Sequence, residues 1–259
     1  MKNRIKHDLM DLMMIPGLSG HEDRVRRDLR GRLEAIGVES KSDRLGNLVA
    51  HFPGDGLRVM LFTHMDQLGF IVRRIEADGL IRLERLGGVP ERALAAQEVL
   101  ICVGEGRDVS GIITNKSHHA TTPSEKYQVT PYAELYVDTG LSSASEVEAA
   151  GIRIGSPVVY APQAVELRNS RICGTSIDDR AGCAVLLEVA RLLKNRTSGP
   201  PVDLAFTVLE EFNLRGALPL AQSLLPDIAI QLDLMLATDA PDMEARGEMV
   251  LGGGPGMSM

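Results

Sequence analysis

The chain has 259 residues, 44% of them apolar and 24% charged, enough to bury a large core as one big domain or two smaller ones. A net charge of −7 sets its average surface against a nucleic-acid backbone, so no nucleic-acid partner is expected. No apolar run approaches transmembrane length and the start, M-K-N-R-I-K-H-D-L-M, lacks the apolar segment of a secretory signal, so no membrane association and a cytoplasmic location are expected.

Two helices come first. Ser19 is placed to cap the second, with Glu22 three residues on as in a capping box, and Val25, Leu29, Leu33 and Ile36 recur at helical spacing until Gly37 ends it. Residues 46–52 and 58–63 read as the first sheet strands, split by a turn at 53–56. After Asp66 the texture changes to short β-like runs at 70–75, 80–83, 99–103, 109–114, 157–160 and 164–167. The one helical stretch among them lies near 143–150, with Ser142 or Ser143 as its cap. This predicts a small β-rich, barrel-like domain over 67–166 inserted into an α/β domain made of 1–66 and 167–259, the latter incomplete at its C-terminus. The α/β pattern then resumes. Asp178 and Asp179 open a helix over 181–194, and strands at 202–208 and 228–234 flank a helical stretch at 214–225. The fold class expected is α/β, a mixed sheet flanked by helices.

Four separated stretches carry groups that grip divalent metals: T-H-M-D with His64 and Asp66, D-D-R with Asp178 and Asp179, E-E with Glu210 and Glu211, and the lone Asp233. Imidazole and carboxylates with no thiolate beside them suit zinc, cobalt or manganese rather than a structural cysteine-bound zinc. One carboxylate has two oxygens and can bridge two ions about 3.5–4 Å apart, and an acid next to a ligand can act as base. Three of the stretches sit at or near the ends of apolar, strand-like runs, and ligands gather outside the carboxyl ends of strands in open α/β sheets. The combination predicts a two-metal hydrolase site. Cys102, Cys173 and Cys183 form no C-x-x-C pair and no even set, which fits a reducing compartment, and Cys183 reads as helix packing.

The blocks T-H-M-D-Q-L-G-F, S-I-D-D-R-A-G-C, T-V-L-E-E-F-N-L-R-G-A and L-D-L-M-L-A-T-D-A-P-D, with Y-V-D-T-G-L-S-S-A-S-E-V-E-A-A-G-I-R-I-G-S-P-V between them, resemble the di-metal aminopeptidases of the glutamyl, deblocking or tetrahedral family, some labelled cellulase M. The likeness covers nearly the whole chain. It implies that His64, Asp178 and Asp233 hold one metal and that Asp178 bridges to a second, also held by Glu211. Glu210 would be the general base taking a proton from a water between the ions, and Asp66 would accept the other ring N–H of His64. It also implies a cis peptide between Asp178 and Asp179, short peptides with a free amino terminus as substrates, and a large homo-oligomer. One departure stands out: the family supplies a further histidine to the second metal from beyond this point, and no motif before Met259 takes its place. The run G-G-G-P-G-M-S-M reads as a turn leading into a strand, so the expectation is a fragment of a longer enzyme, with the second metal weakly held and hydrolysis impaired or absent. The alternatives are a related metal-dependent deacylase or carboxypeptidase and a truncated, non-catalytic scaffold. A glycosidase needs two carboxyl groups facing each other across about 5–9.5 Å, which adjacent Glu210 and Glu211 suit poorly.

Overall fold

The computed structural model describes residues 1–257. Helices α1 (Lys2–Met13) and α2 (Asp23–Ala35) lead the chain. The stripe Val25, Leu29 and Leu33 is fully buried, as the spacing predicts, and Gly37 leaves the helix at φ +71°. The start of α2 differs from expectation. Ser19 does not cap it; the helix begins at Asp23, and the Glu22 carboxylate turns inward to two amide donors instead of serving the helix end.

Strands β1 (Lys41–Ser42), β2 (Leu48–Phe52) and β3 (Val59–His64) follow. Next come β4 (Gly69–Ile75), β5 (Ile81–Leu86), β6 (Glu98–Ile101), β7 (Val109–Thr114) and β8 (Tyr136–Asp138). Helix α3 (Ala144–Ala149) is capped by Ser143, whose hydroxyl accepts the Glu146 N–H, and β9 (Pro157–Tyr160) follows it. Strands β10 (Ala164–Leu167) and β11 (Arg171–Gly174) pair as a separate hairpin. Helix α4 (Ile177–Leu193), β12 (Val202–Thr207), α5 (Ala217–Leu224) and β13 (Ile228–Gln231) complete the regular elements.

Five strands form one mixed sheet in the order β1-β2-β12-β3-β13, with β12, β3 and β13 parallel and β2 antiparallel to β12. Alternation along β12 divides its residues between two cores. Val202, Leu204 and Phe206 face α4 together with Leu186, Leu187 and Ala190, and Ala205 faces α5 together with Met60 and Leu220. Each Val, Leu, Met or Phe side chain among them removed from water stabilises the fold by roughly 1.5–3 kcal/mol. The central strand β12 is therefore covered on both sides, whereas the edge strand β13 is exposed along its length.

The strands from Gly69 to Tyr160 close a second sheet into a barrel, in the order β4-β5-β8-β7-β6-β9. Its own core contains Phe70, Val72, Ile81, Ile101, Val137 and Val158, all fully buried. Arg24 on α2 grips Asp108 at the head of β7, tying the barrel to the helical layer. Residues 251–253 form a turn, and no strand follows it through Met257; the last two positions of that predicted turn-and-strand run lie outside the described residues. Among the described residues, no helix is long and apolar enough to cross a membrane.

Candidate metal and base site

The parallel strands β3, β12 and β13 end on one rim of the sheet, and the chain leaving each carries chemistry there. His64 is the last residue of β3 and is 1% exposed. Its Nε2 lies 2.9 Å from Asp178 Oδ1 and 3.9 Å from Glu210 Oε2. Its Nδ1 is 3.1 Å from the Asp66 carbonyl oxygen and 3.5 Å from Asp66 Oδ1, which fixes the ring with Nε2 aimed outward.

Asp178 and Asp179 leave the helical conformation at the head of α4, and the peptide bond between them is cis. The two acids diverge. Asp178 is about half exposed and faces His64, whereas Asp179 is fully buried, receiving the Thr63 hydroxyl and, at 2.8 Å, the Gly182 N–H. Next to them the fully buried Arg180 donates to the carbonyls of Met65 and Ile15, binding the head of α4 to the end of β3. Cys183 is buried in the core, its thiol 3.3 Å from the His64 carbonyl oxygen to which it donates.

Strand β13 is shorter than the predicted run, and Asp233 lies two residues past its end in a loop. Asp233 nonetheless meets the other two: ligand atoms of His64, Asp178 and Asp233 all lie within 4.8 Å of one another. Ligands about 2.0–2.2 Å from a tetrahedral first-row ion stand about 3.3–3.6 Å apart, so the trio reaches a common ion once its wider separations shorten. One imidazole and two carboxylates are a donor set that such ions accept. Glu211 belongs to the same rim but falls outside this trio.

The Glu210–Glu211 segment is held by its backbone. Four successive amide N–H groups are each received by a side-chain oxygen: Val208 by Asn47 Oδ1 at 3.0 Å, Leu209 by Glu22 Oε1 at 3.1 Å, Glu210 by Asp66 Oδ1 at 3.0 Å and Glu211 by Asp66 Oδ2 at 3.1 Å. Asp66 is 0% exposed, and besides facing His64 its two carboxylate oxygens anchor the amides of both glutamates. Nothing in the sequence pattern foretold these roles of Asn47, Glu22 and Arg180. Their only signal is polarity beside apolar runs, which turn residues and helix starts share.

The electrostatics follow from crowding acids round one base. Burial opposes a charge on His64, yet its bonds to Asp178 and Asp66 carry its pKa up to about 11. Burial also opposes ionisation of Asp66, but His64 and the Glu210 amide hold its carboxyl below the ordinary range. Burial pushes Glu211 and Asp179 up to about 7 and moves Glu210 in the same direction. A pocket that stabilises a proton on His64 this strongly is one in which a cation is favoured, and a metal would displace that proton.

A rim of a mixed sheet carrying a histidine–carboxylate trio beside a half-buried glutamate is an arrangement able to hold a divalent ion with a base next to it. The chain belongs to the M42 glutamyl aminopeptidase family, whose model matches residues 46–259. The lysyl aminopeptidase of Pyrococcus furiosus is 32% identical over 247 residues, covering 94% of this chain and 70% of its own length. An aminopeptidase structure from the archaeon Desulfurococcus kamchatkensis superposes with a TM-score of 0.85 at 32% identity, over 93% of this chain and 65% of that one. The TET1 peptidase of Pyrococcus horikoshii, which can assemble into a tetrahedron or a large octahedral shell, gives 0.81 at 28% identity over 88% and 68%. The chain thus spans about two thirds of the length of these relatives.

Proposed function

We propose that this chain carries the metal- and base-bearing site of a metal-dependent aminopeptidase that removes N-terminal residues from short peptides. The observation that carries the reading is the convergence of His64, Asp178 and Asp233, with Glu210 3.9 Å from the same imidazole nitrogen. In this reading the three residues hold one divalent ion, and Asp178 and Glu211 offer oxygens to a second. Ions there would acidify an attacking water toward a pKa of about 7 and polarise the scissile carbonyl. Glu210 takes the proton from that water and hands it to the leaving amine, and its partial burial, which raises its proton affinity, suits a group that must accept and then release. Asp66 keeps His64 oriented and both glutamates on the rim.

Residues 67–166 are the inserted domain in this reading, and 1–66 with 167–259 form the α/β one. Assembly into a large homo-oligomer is part of the proposal, supported by the shell-forming relative. The test loads the purified chain with Zn²⁺, Co²⁺ or Mn²⁺ and follows hydrolysis of aminoacyl p-nitroanilides and of short peptides with free or acetylated amino termini. Metal-dependent cleavage of the free set alone, lowered roughly 10²–10⁴-fold by Glu210→Gln with the metal retained, is expected. Cleavage of acetylated or C-terminal substrates instead would point to the deacylase or carboxypeptidase alternative. Metal bound without any cleavage would leave the scaffold.

A further inference from the structure

The Glu22 side chain is 4% exposed, and a single oxygen takes two amides: Oε1 accepts the Gly20 N–H at 2.7 Å and the Leu209 N–H at 3.1 Å. Leu209 itself sits in the left-handed region at φ +56°, a conformation that bulky residues keep only where the surroundings impose it. The amides after Leu209 fall on the two oxygens of Asp66. Two buried acids therefore hold three consecutive amides, and the third anchor, Asn47, takes the amide before them and donates to the Gly216 carbonyl at 3.1 Å. Glu22 touches none of the groups in the trio.

We infer that Glu22 is a positioning residue: by seating the Leu209 amide it sets where the Glu210 carboxylate stands relative to His64, and it does so without contributing to metal affinity. The inference rests on Glu210 acting as the base in the function proposed above. Shifting a reacting group by about 1 Å costs rate while leaving ground-state contacts intact, so the loss belongs in kcat. A charged acceptor from the tight Gly20 turn is a stiffer fixture than water would be at the same amide.

The experiment compares the metal-loaded wild type with Glu22→Ala and Glu22→Gln by amide hydrogen exchange, Co²⁺ titration and steady-state kinetics. Glu22→Ala is expected to speed exchange at 209–211 by about 10-fold or more with α4 and β12 unchanged, to leave Co²⁺ affinity within about 2-fold, and to lower kcat roughly 10- to 100-fold at nearly constant KM. Glu22→Gln keeps an oxygen where the two amides need it and should restore most of both. Unchanged exchange at 209–211 in folded Glu22→Ala overturns the inference. So does a parallel loss of protection across α4 and β12 together with Co²⁺ affinity, which marks a residue that merely supports the fold, and so does a Glu22→Gln protein as impaired as Glu22→Ala. If the wild type cleaves no peptide, the peptidase reading fails by itself, and the exchange pattern at 209–211 still decides what Glu22 holds.

Discussion

Gly182 lies inside α4, where replacing glycine by alanine normally helps: an alanine gains up to about 1 kcal/mol of helix propensity. Here the neighbourhood reverses the sign. A Cβ on Gly182 would stand 2.3 Å from Asp179 Oδ2, 2.3 Å from Thr63 Oγ1 and 2.9 Å from Asp179 Cγ, and all of these atoms are buried. Side chain or backbone must move, at a cost of about 1–3 kcal/mol for overpacking. The movement displaces the Asp179 carboxylate from the Thr63 hydroxyl and the Gly182 amide, leaving buried polar groups short of partners at about 1–3 kcal/mol more. Against the propensity gain, Gly182→Ala should destabilise by roughly 1–5 kcal/mol, a large part of the about 5–15 kcal/mol that holds a typical domain. Because Asp178 adjoins Asp179, Co²⁺ affinity should fall as well. Urea unfolding in EDTA separates the first effect from metal-linked stabilisation, and a Co²⁺ titration of the folded variant measures the second. A denaturation midpoint at or above that of the wild type would falsify the steric reasoning, since propensity would then have prevailed.

Three further outcomes are expected. Metal uptake should release the proton that Asp178 and Asp66 hold on His64 up to about 11, so calorimetric binding heats should scale with buffer ionisation enthalpy near pH 7, and affinity should tighten about tenfold per pH unit; heats independent of the buffer would contradict the proposed ligand. Asp233→Asn should weaken binding of the first ion, read by equilibrium dialysis against Zn²⁺, whereas equal affinity in the variant would remove Asp233 from the site. Burial works against charge on Asp108, but Arg24 and the Gly104 and Val103 amides keep its carboxyl below the ordinary range. Its folded value lies under its unfolded one, so this stabilisation is complete above about pH 4–5 and disappears as pH drops through the folded value. Arg24→Ala should flatten the acid limb of the stability curve and cost about 1–3 kcal/mol at pH 7, and a curve that overlays the wild type would show the seam to be held by packing alone.

Much of this protein was legible before any coordinates, for identifiable reasons. Strand β12 is a short, mostly apolar run buried on both faces, and α2 shows helical spacing in Val25, Leu29 and Leu33, patterns that burial imposes on composition. The metal-binding residue types at His64, Asp178 and Asp233 were equally visible, because few other side chains can perform that chemistry. Only tertiary structure decided how those residues are held. Whether Glu22 capped a helix or gripped a loop depended on what stood opposite it, and the partner is Leu209, 187 positions away. The divergence of Asp178 and Asp179, and the spending of Asp66 on two amides of the Glu210–Glu211 segment, have the same origin. Periodicity reports which face of an element is dry. Polar contacts between distant segments depend on geometry assembled at folding, which no local spacing encodes.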